Sequence, residues 1–285
     1  MKRKWVGAIF VAPALTLLLV FYIGPILYSF KLGFYDVTLF SSEWAGLTNF
    51  IELLRPGPFW AAFRTSLKFL IVILFCDLTI AYLIAVGLSR IAPRLAAVLR
   101  VCYYVPVVLS SIATVSVWRW FLRYGGGAFN EVLTALHLPA VTWLGHPQVA
   151  PWTLCFVVSI GAIGVSVLLY SAALGQLNEE LLDAARIDGA NEIQIIWHII
   201  TPLVRPTMLY ILVTNTIGSF QIWETPYFFT KGGPLSSTTT VAYYIFNTAF
   251  MEGEMGQASA MTAVMSVITL VFAWIFIKKM GFGRE

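Results

Sequence analysis

The chain has 285 residues and a mass of 31.7 kDa, with 59% hydrophobic and only 11% charged residues. So few charges cannot cover a water-soluble domain of this size, which excludes a cytosolic globular enzyme, a disordered chain and a disulfide scaffold. The formal net charge of +4 gives nucleic acid no support as a partner, and a polytopic all-α membrane protein remains.

A bilayer core of about 30 Å needs roughly 20 apolar residues of helix. Six stretches meet that need. The first covers 5–30, is free of charge and follows Lys2, Arg3 and Lys4. It is too long for the apolar core of a signal peptide, so it reads as a retained anchor. The second covers 67–88 and carries one acid, Asp77. The third covers 101–121. The fourth, 150–173, is again charge-free, the fifth covers 207–229 with Glu224 near its end, and the sixth covers 256–277. Together they read as one transmembrane domain over 1–285. Pro13, Pro25 and Pro106 fall in or near spans and predict kinks, because neighbouring helices can satisfy the freed carbonyls. Cys76, Cys102 and Cys155 sit in or beside apolar runs and read as small buried hydrophobes. His137, His146 and His198 have no metal spacing. Trp118, Arg119 and Trp120 read as anchors at the outer end of the third span.

Lys and Arg in the loops set the orientation. With the N-terminus inside, the inner set holds eleven: Lys2, Arg3, Lys4, Arg90, Arg94, Arg100, Arg186, Arg205, Lys278, Lys279 and Arg284. The outer set holds five: Lys31, Arg55, Arg64, Arg123 and Lys231. Both termini are therefore expected in the cytoplasm. Loops 31–66, 122–149 and 230–255 fall outside, with a short helical pattern at NEVLTALHL in the second. Loops 89–100 and 174–206 fall inside.

The 174–206 loop reads LGQLNEELLDAARIDGANEIQIIWHIITPLVRP. Asn178 is a good N-cap, and Glu179 and Glu180 suit the positive end of a helix. EELLDAARI is then helix-prone, with Gly189 as its C-cap. Asn191 caps a second helix, which Pro202 is expected to end. Glu179, Glu180, Asp183, Asp188 and Glu192 outnumber Arg186 and Arg205. That balance suits a protein partner better than anionic lipid. Two readings stay open: an amphipathic helix seated in a partner's groove, or a helical hairpin packed on its own bundle.

DAARIDGA (183–190) followed by IITPL (199–203) resembles the EAA loop of binding-protein-dependent ABC importer permeases. Asp183 stands in place of the usual Glu, while Ala184, Ala185, Gly189 and Pro202 match. GLTNF (46–50), YYVPVVLSS (103–111), VWRWF (117–121), TWLG (142–145), TKGGP (230–234) with Thr238 to Thr240 after it, and MGQASAM (255–261) are similar, in the same order, to the maltose- and glycerol-phosphate-type sugar permeases. The resemblance spans nearly the whole chain. It implies a type I importer permease fold and a cytoplasmic coupling helix, within 178–202, that docks on an ABC ATPase through Asp183, Ala184, Ala185, Asp188, Gly189, Ala190 and Pro202. It also implies an inner-membrane location, a second permease chain (a sister or a copy of this one) and a periplasmic or lipid-anchored solute-binding protein.

An intramembrane acid is costly and should face the bundle or a cavity, so Asp77 is a candidate on the substrate path. Its alternative is an interhelical hydrogen bond to a Ser, Thr or Tyr. Asn215, Ser219, Gln221, Trp223, Glu224 and Tyr227 form a polar-aromatic group of the kind that binds sugars. Helical spacing puts Asn215, Ser219 and Trp223 on one stripe. The alternative for this group is anchoring at headgroup depth. No GxxxxGK[ST] loop is present, so ATP and Mg are expected on a partner ATPase and this chain is read as non-catalytic. No Arg or Lys cluster lies within the spans, which favours a neutral carbohydrate over a phosphorylated one. The competing class is an ion-coupled carrier using Asp77 and Glu224, against which no inverted repeat is visible. A membrane-embedded enzyme would need a reactive constellation, and the sequence holds none.

Overall fold

A computed structural model describes residues 2–38 and 41–280. Arg284, counted above among the inner charges, lies outside the described residues. The described residues pack as two bodies, one of residues up to 60 with 244–268, the other of 61–243 with 269 onward.

In the first body, helix α1 runs over 2–32, with a widened turn at Leu19–Ile23 just before Pro25. None of residues 10–32 is buried, and Phe10 and Phe21 are largely exposed, as a lipid-facing span requires. Strands β1 (Tyr35–Val37) and β2 (Ser42–Trp44) then pair antiparallel, with Tyr35 opposite Trp44. Helix α2 (Thr48–Leu54) anchors them. The buried Asn49 of the GLTNF stretch donates from Nδ2 to Gly33 O and Tyr35 O, both at 3.0 Å. A Cβ on Gly256 would collide with Tyr35 O, so the hairpin seats directly on helix α13, Met255–Met280, because that position has no side chain. This hairpin is an addition to the expected all-helical design.

In the second body, α3 (Pro58–Leu88) starts nine residues before the expected span and contains a widened turn at Cys76–Ala81. The expected single span 101–121 is instead two helices, α4 (Pro93–Val108) and α5 (Ser111–Phe121), bent by 102°. Pro106 removes one backbone donor, Leu109 and Ser110 are extended, and Ser110 Oγ accepts from Ala113 N at 3.3 Å to start α5. Helix α6 (Ala128–Ala135) matches the short helical pattern foreseen in loop 122–149. Helix α7 (Ala150–Leu174) is the straight fourth span. It crosses α4 closely at Gly164, where a Cβ would strike Tyr103 O.

The inner loop holds α8 (Glu179–Ile187) and α9 (Glu192–Leu203). Pro202 does not end the second helix. A widened turn at Ile196–Ile200 precedes it, the Thr201 N–H reaches Ile196 O, and the helix runs on to Leu203. The chain then bends 65° at Val204 into α10 (Arg205–Phe220). The fifth span is therefore shorter than expected. It stops at Phe220 and a separate α11 (Glu224–Phe229) follows. Pro226 has no N–H to offer Ile222 O, and the Thr240 hydroxyl donates to that carbonyl instead. Helix α12 (Val241–Phe250) follows in a stretch read as loop. Among the described residues, four helices are long and apolar enough to cross a membrane, and the two bent pairs bring the total to six if each is one span.

Gly161 and Gly164 give a contrasted test. Gly164→Ala should force α4 and α7 apart and cost about 2 kcal/mol. Gly161 has nothing within 4 Å of the place a Cβ would take, so Gly161→Ala should be neutral or stabilise by up to about 1 kcal/mol. Thermal unfolding of both variants in detergent reads the difference.

Candidate functional site

Two groups of candidate residues lie in the second body. The first is the inner loop. The Asn178 side chain accepts from Glu180 N at 3.0 Å and opens α8. Gly189, at φ +85°, turns the chain out of α8 in a conformation that a side chain would strain. Asn191 and Gln194 form a reciprocal capping box at the start of α9, with bonds of 2.9 and 2.8 Å.

The two loop helices differ in where they face. Helix α8 has no buried residue, and Ile187 at its end is 86% exposed. Asp183, Ala184, Asp188 and Gly189 are exposed with it. Helix α9 buries Ile195 and Ile200, and Val204 just beyond it, among Ala81, Tyr82, Ala85 and Val86 of α3 and Val167, Tyr170 and Leu174 of α7. Ala185 and Ala190 are half-buried against the same cluster, and Pro202 is exposed. Of the two readings left open by the sequence, self-packing describes α9, while α8 presents a free apolar edge.

Charges tie the loop together. Arg186 reaches Asp183 at 2.7 Å and Glu192 at 3.2 Å, and Glu192 also takes Arg90 at 2.6 Å. The Glu192 and Asp183 carboxylates hold the Arg186 guanidinium above its usual value. A notch of about 430 Å³ opens beside α8, lined by Asp188, Gly189, Ala190, Gln194, His198 and Ile199.

The second group is in the spans. Asp77, fully buried in the widened turn of α3, accepts at Oδ2 from Asn215 Nδ2 on α10 at 2.6 Å. Besides this amide, the Ser166 hydroxyl of α7 also acts as a hydrogen-bond partner of the carboxyl, a hydroxyl contact of the kind expected. The predicted Asn215–Ser219–Trp223 stripe is broken because α10 stops at Phe220. Ser219 is buried and its hydroxyl donates to Asn215 O at 2.6 Å, turned onto its own helix. Trp223 lies in the connection, half-buried, 6.0 Å ring to ring from Tyr227 on α11, and Glu224 opens that helix. So the structure joins Asp77 to Asn215 and Trp223 to Tyr227, and leaves Ser219 engaged with backbone.

Trp118, expected as an anchor, packs inward against Phe129 and Phe156. Trp120 is exposed. A further cavity of about 450 Å³ is lined by aromatic residues including Phe129, Trp143, Trp152 and Phe156. Among the described residues no His, Cys, Asp or Glu cluster could hold a metal. Sequence reading missed Thr201 and Tyr82, whose hydroxyls meet at 2.7 Å, since nothing in their spacing signals a contact 119 residues apart.

Residues 77–277 match the family described as binding-protein-dependent transport system inner membrane component. The chain is 31% identical to the probable ABC transporter permease protein YesP of Bacillus subtilis, over 97% of this chain and 91% of that one. It is 28% identical to the trehalose/maltose transport system permease protein MalF of Thermococcus litoralis, over 100% and 96%. A solved bacterial alginate ABC transporter, in complex with an alginate pentasaccharide-bound periplasmic protein, contains a chain of like fold. That chain superposes with a TM-score of 0.85 at 20% identity, over 96% of this chain and 93% of its own.

The Asp77–Asn215 bond makes a second prediction. Asn215→Leu strands a buried carboxyl and should cost about 3 kcal/mol. Asp77→Asn keeps an amide partner and should cost about 1 kcal/mol. Chemical denaturation in mixed micelles ranks the two.

Proposed function

The chain belongs to the family of binding-protein-dependent transport system inner membrane components, and from that premise we propose how it works as the permease subunit of an ATP-driven carbohydrate importer. It is a non-catalytic membrane subunit, as its relatives are. The observation that carries the reading is the division of the inner loop. Helix α9 is part of the core, while α8 rests on it through the half-buried Leu182 and Ala185 and leaves Ile187 exposed, with Asp183, Asp188 and Gly189 beside it. A short amphipathic helix held rigidly and left uncovered suits a groove on a partner. The partner is a cytoplasmic ABC ATPase, which binds ATP and Mg. The Arg and Lys bias supports a cytoplasmic position for that loop and for both termini.

A second permease chain, a sister or a copy of this one, completes the path, and a periplasmic or lipid-anchored solute-binding protein delivers the solute to the outer loops. ATP-driven closure of the ATPases grips α8 differently in two states, and only that difference can shift the spans. The solute is a neutral carbohydrate. In support, the similar MalF protein is described as a trehalose/maltose permease, and both are neutral sugars. The Trp223–Tyr227 pair with Glu224 supplies aromatic faces and a directional acceptor for it. Asp77 is engaged by Asn215, so its role is to hold α3 to α10 along the path. The ion-coupled carrier has less support, because no inverted repeat is visible and Glu224 opens a helix separate from the α3–α10 contact of Asp77.

Tagged purification in mild detergent tests the docking. An ATPase and a second permease should accompany the wild type, and Gly189→Asp should lose the ATPase while keeping the second permease. Equal recovery of the ATPase with both proteins would refute α8 as its docking helix.

A further inference from the structure

Helix α3 and the loop helix α9 are joined at two depths. At the inner end Arg90, two residues past α3, meets Glu192 at the start of α9. Deeper in, Tyr82 meets Thr201 at 2.7 Å. Arg90 to Tyr82 is eight residues back along one strand of chain, and Glu192 to Thr201 is nine residues forward along the other. The two segments therefore run antiparallel, with ties separated by about 12 Å on one and about 13 to 14 Å on the other, at about 1.5 Å of rise per residue. One tie would leave a pivot. Two ties at matched spacing fix both the height and the tilt of α9 on α3.

The deeper tie has a defined proton order. Thr201 Oγ1 donates its single proton to Ile196 O at 2.8 Å. It can only accept from Tyr82, so the Tyr82 hydroxyl is the donor. Tyr82 is buried, and Tyr170 packs edge-on against its ring at 5.4 Å. The inner tie is half exposed, and such ion pairs are individually weak. The part-buried hydroxyl pair, with Tyr82 in the apolar cluster that holds Ile195 and Ile200, is the stronger constraint. Glu192 also takes Arg186 of α8, so the exposed helix joins the same network.

We propose that Tyr82 and Thr201, supported by Arg90 and Glu192, are positioning residues that make α3 the arm carrying the displacement of the inner loop to Asp77. The inference rests on the docking of α8 on an ATPase. Five residues along α3 separate Tyr82 from Asp77, and Asp77 passes the movement to α10 through Asn215. A movement of α8 thus reaches two spans through bonded contacts rather than through a flexible loop.

Cys76, beside Asp77 and half-buried, is a native reporter of that movement. The assembled complex, carrying Cys102→Ser and Cys155→Ala, is treated with N-ethylmaleimide without nucleotide and with ATP plus vanadate. The ratio of the two Cys76 labelling rates is the readout, and ATPase recovery is measured on the same sample. We expect a nucleotide-dependent ratio in this background. Tyr82→Phe and Thr201→Val should shrink it about fivefold with the ATPase still bound. Thr201→Ser, which keeps both hydroxyl bonds, should restore it. Arg90→Gln, at an exposed position, should give a smaller loss in the same direction. A ratio unchanged in Tyr82→Phe and Arg90→Gln with the ATPase bound would overturn the tie and leave docking intact. A Cys76 rate that ignores nucleotide in the parent would also overturn it. An ATPase absent from the parent complex would remove the docking reading, and the arm with it.

Discussion

The burial of Ile195 and Ile200 of α9 against Ala81, Tyr82 and Ala85 of α3 and Val167 and Tyr170 of α7 is the contact on which the inner half of the protein depends. Between apolar spans, this loop carries five acids and could have stayed loose on the membrane surface. Two apolar side chains sunk in the core prevent that, and the capping box at Asn191 and Gln194 sets the helix that aims them. Because α9 is held, α8 is held too, through Gly189 and the Arg186 pairs, yet keeps its outer face bare. Rigidity and exposure in adjacent helices are what a mechanical contact with a partner needs.

The second constraint is the absence of water in the bilayer core. Every break in a span must find donors and acceptors within the protein. The break between α4 and α5 is closed by Ser110, which caps α5. The break after α10 is closed by Thr240, whose hydroxyl serves the carbonyl that Pro226 leaves open. Thr238 does similar work next to it, bonding Gly233 O at 2.9 Å and the Thr230 hydroxyl at 2.6 Å. The TKGGP stretch and its threonines thus hold the turn beside Trp223 and Tyr227. They are structural support for the aromatic pair.

Much of this was legible in the residues. Charge-free runs located α1, α7 and α13 to within a few residues, since only helices can bury their own backbone in lipid. Asn178, Gly189 and Asn191 marked both loop helices through local capping chemistry. What composition could not reveal was where a span bends. Pro106 signalled a kink, but the 102° turn is set by the extended Leu109 and Ser110. Pro202 looked like a terminator, and a widened turn before it let the helix continue. The stripe through Asn215, Ser219 and Trp223 assumed an unbroken helix, and Pro226 decides otherwise from three residues beyond. Contacts between distant segments, such as Asp77 with Asn215 and Tyr82 with Thr201, leave no periodic trace. They became visible only when the helices were placed side by side.

The account turns on the two loop helices having opposite roles. Amide hydrogen exchange, read segment by segment on the permease alone and then with its ATPase bound, measures those roles directly. Amides over 180–188 should exchange quickly in the free chain and slow down when the ATPase binds, while those over 193–204 should be slow in both. Equal exchange across the two segments in the free chain, or protection by the ATPase that falls on 193–204 and spares 180–188, would contradict it.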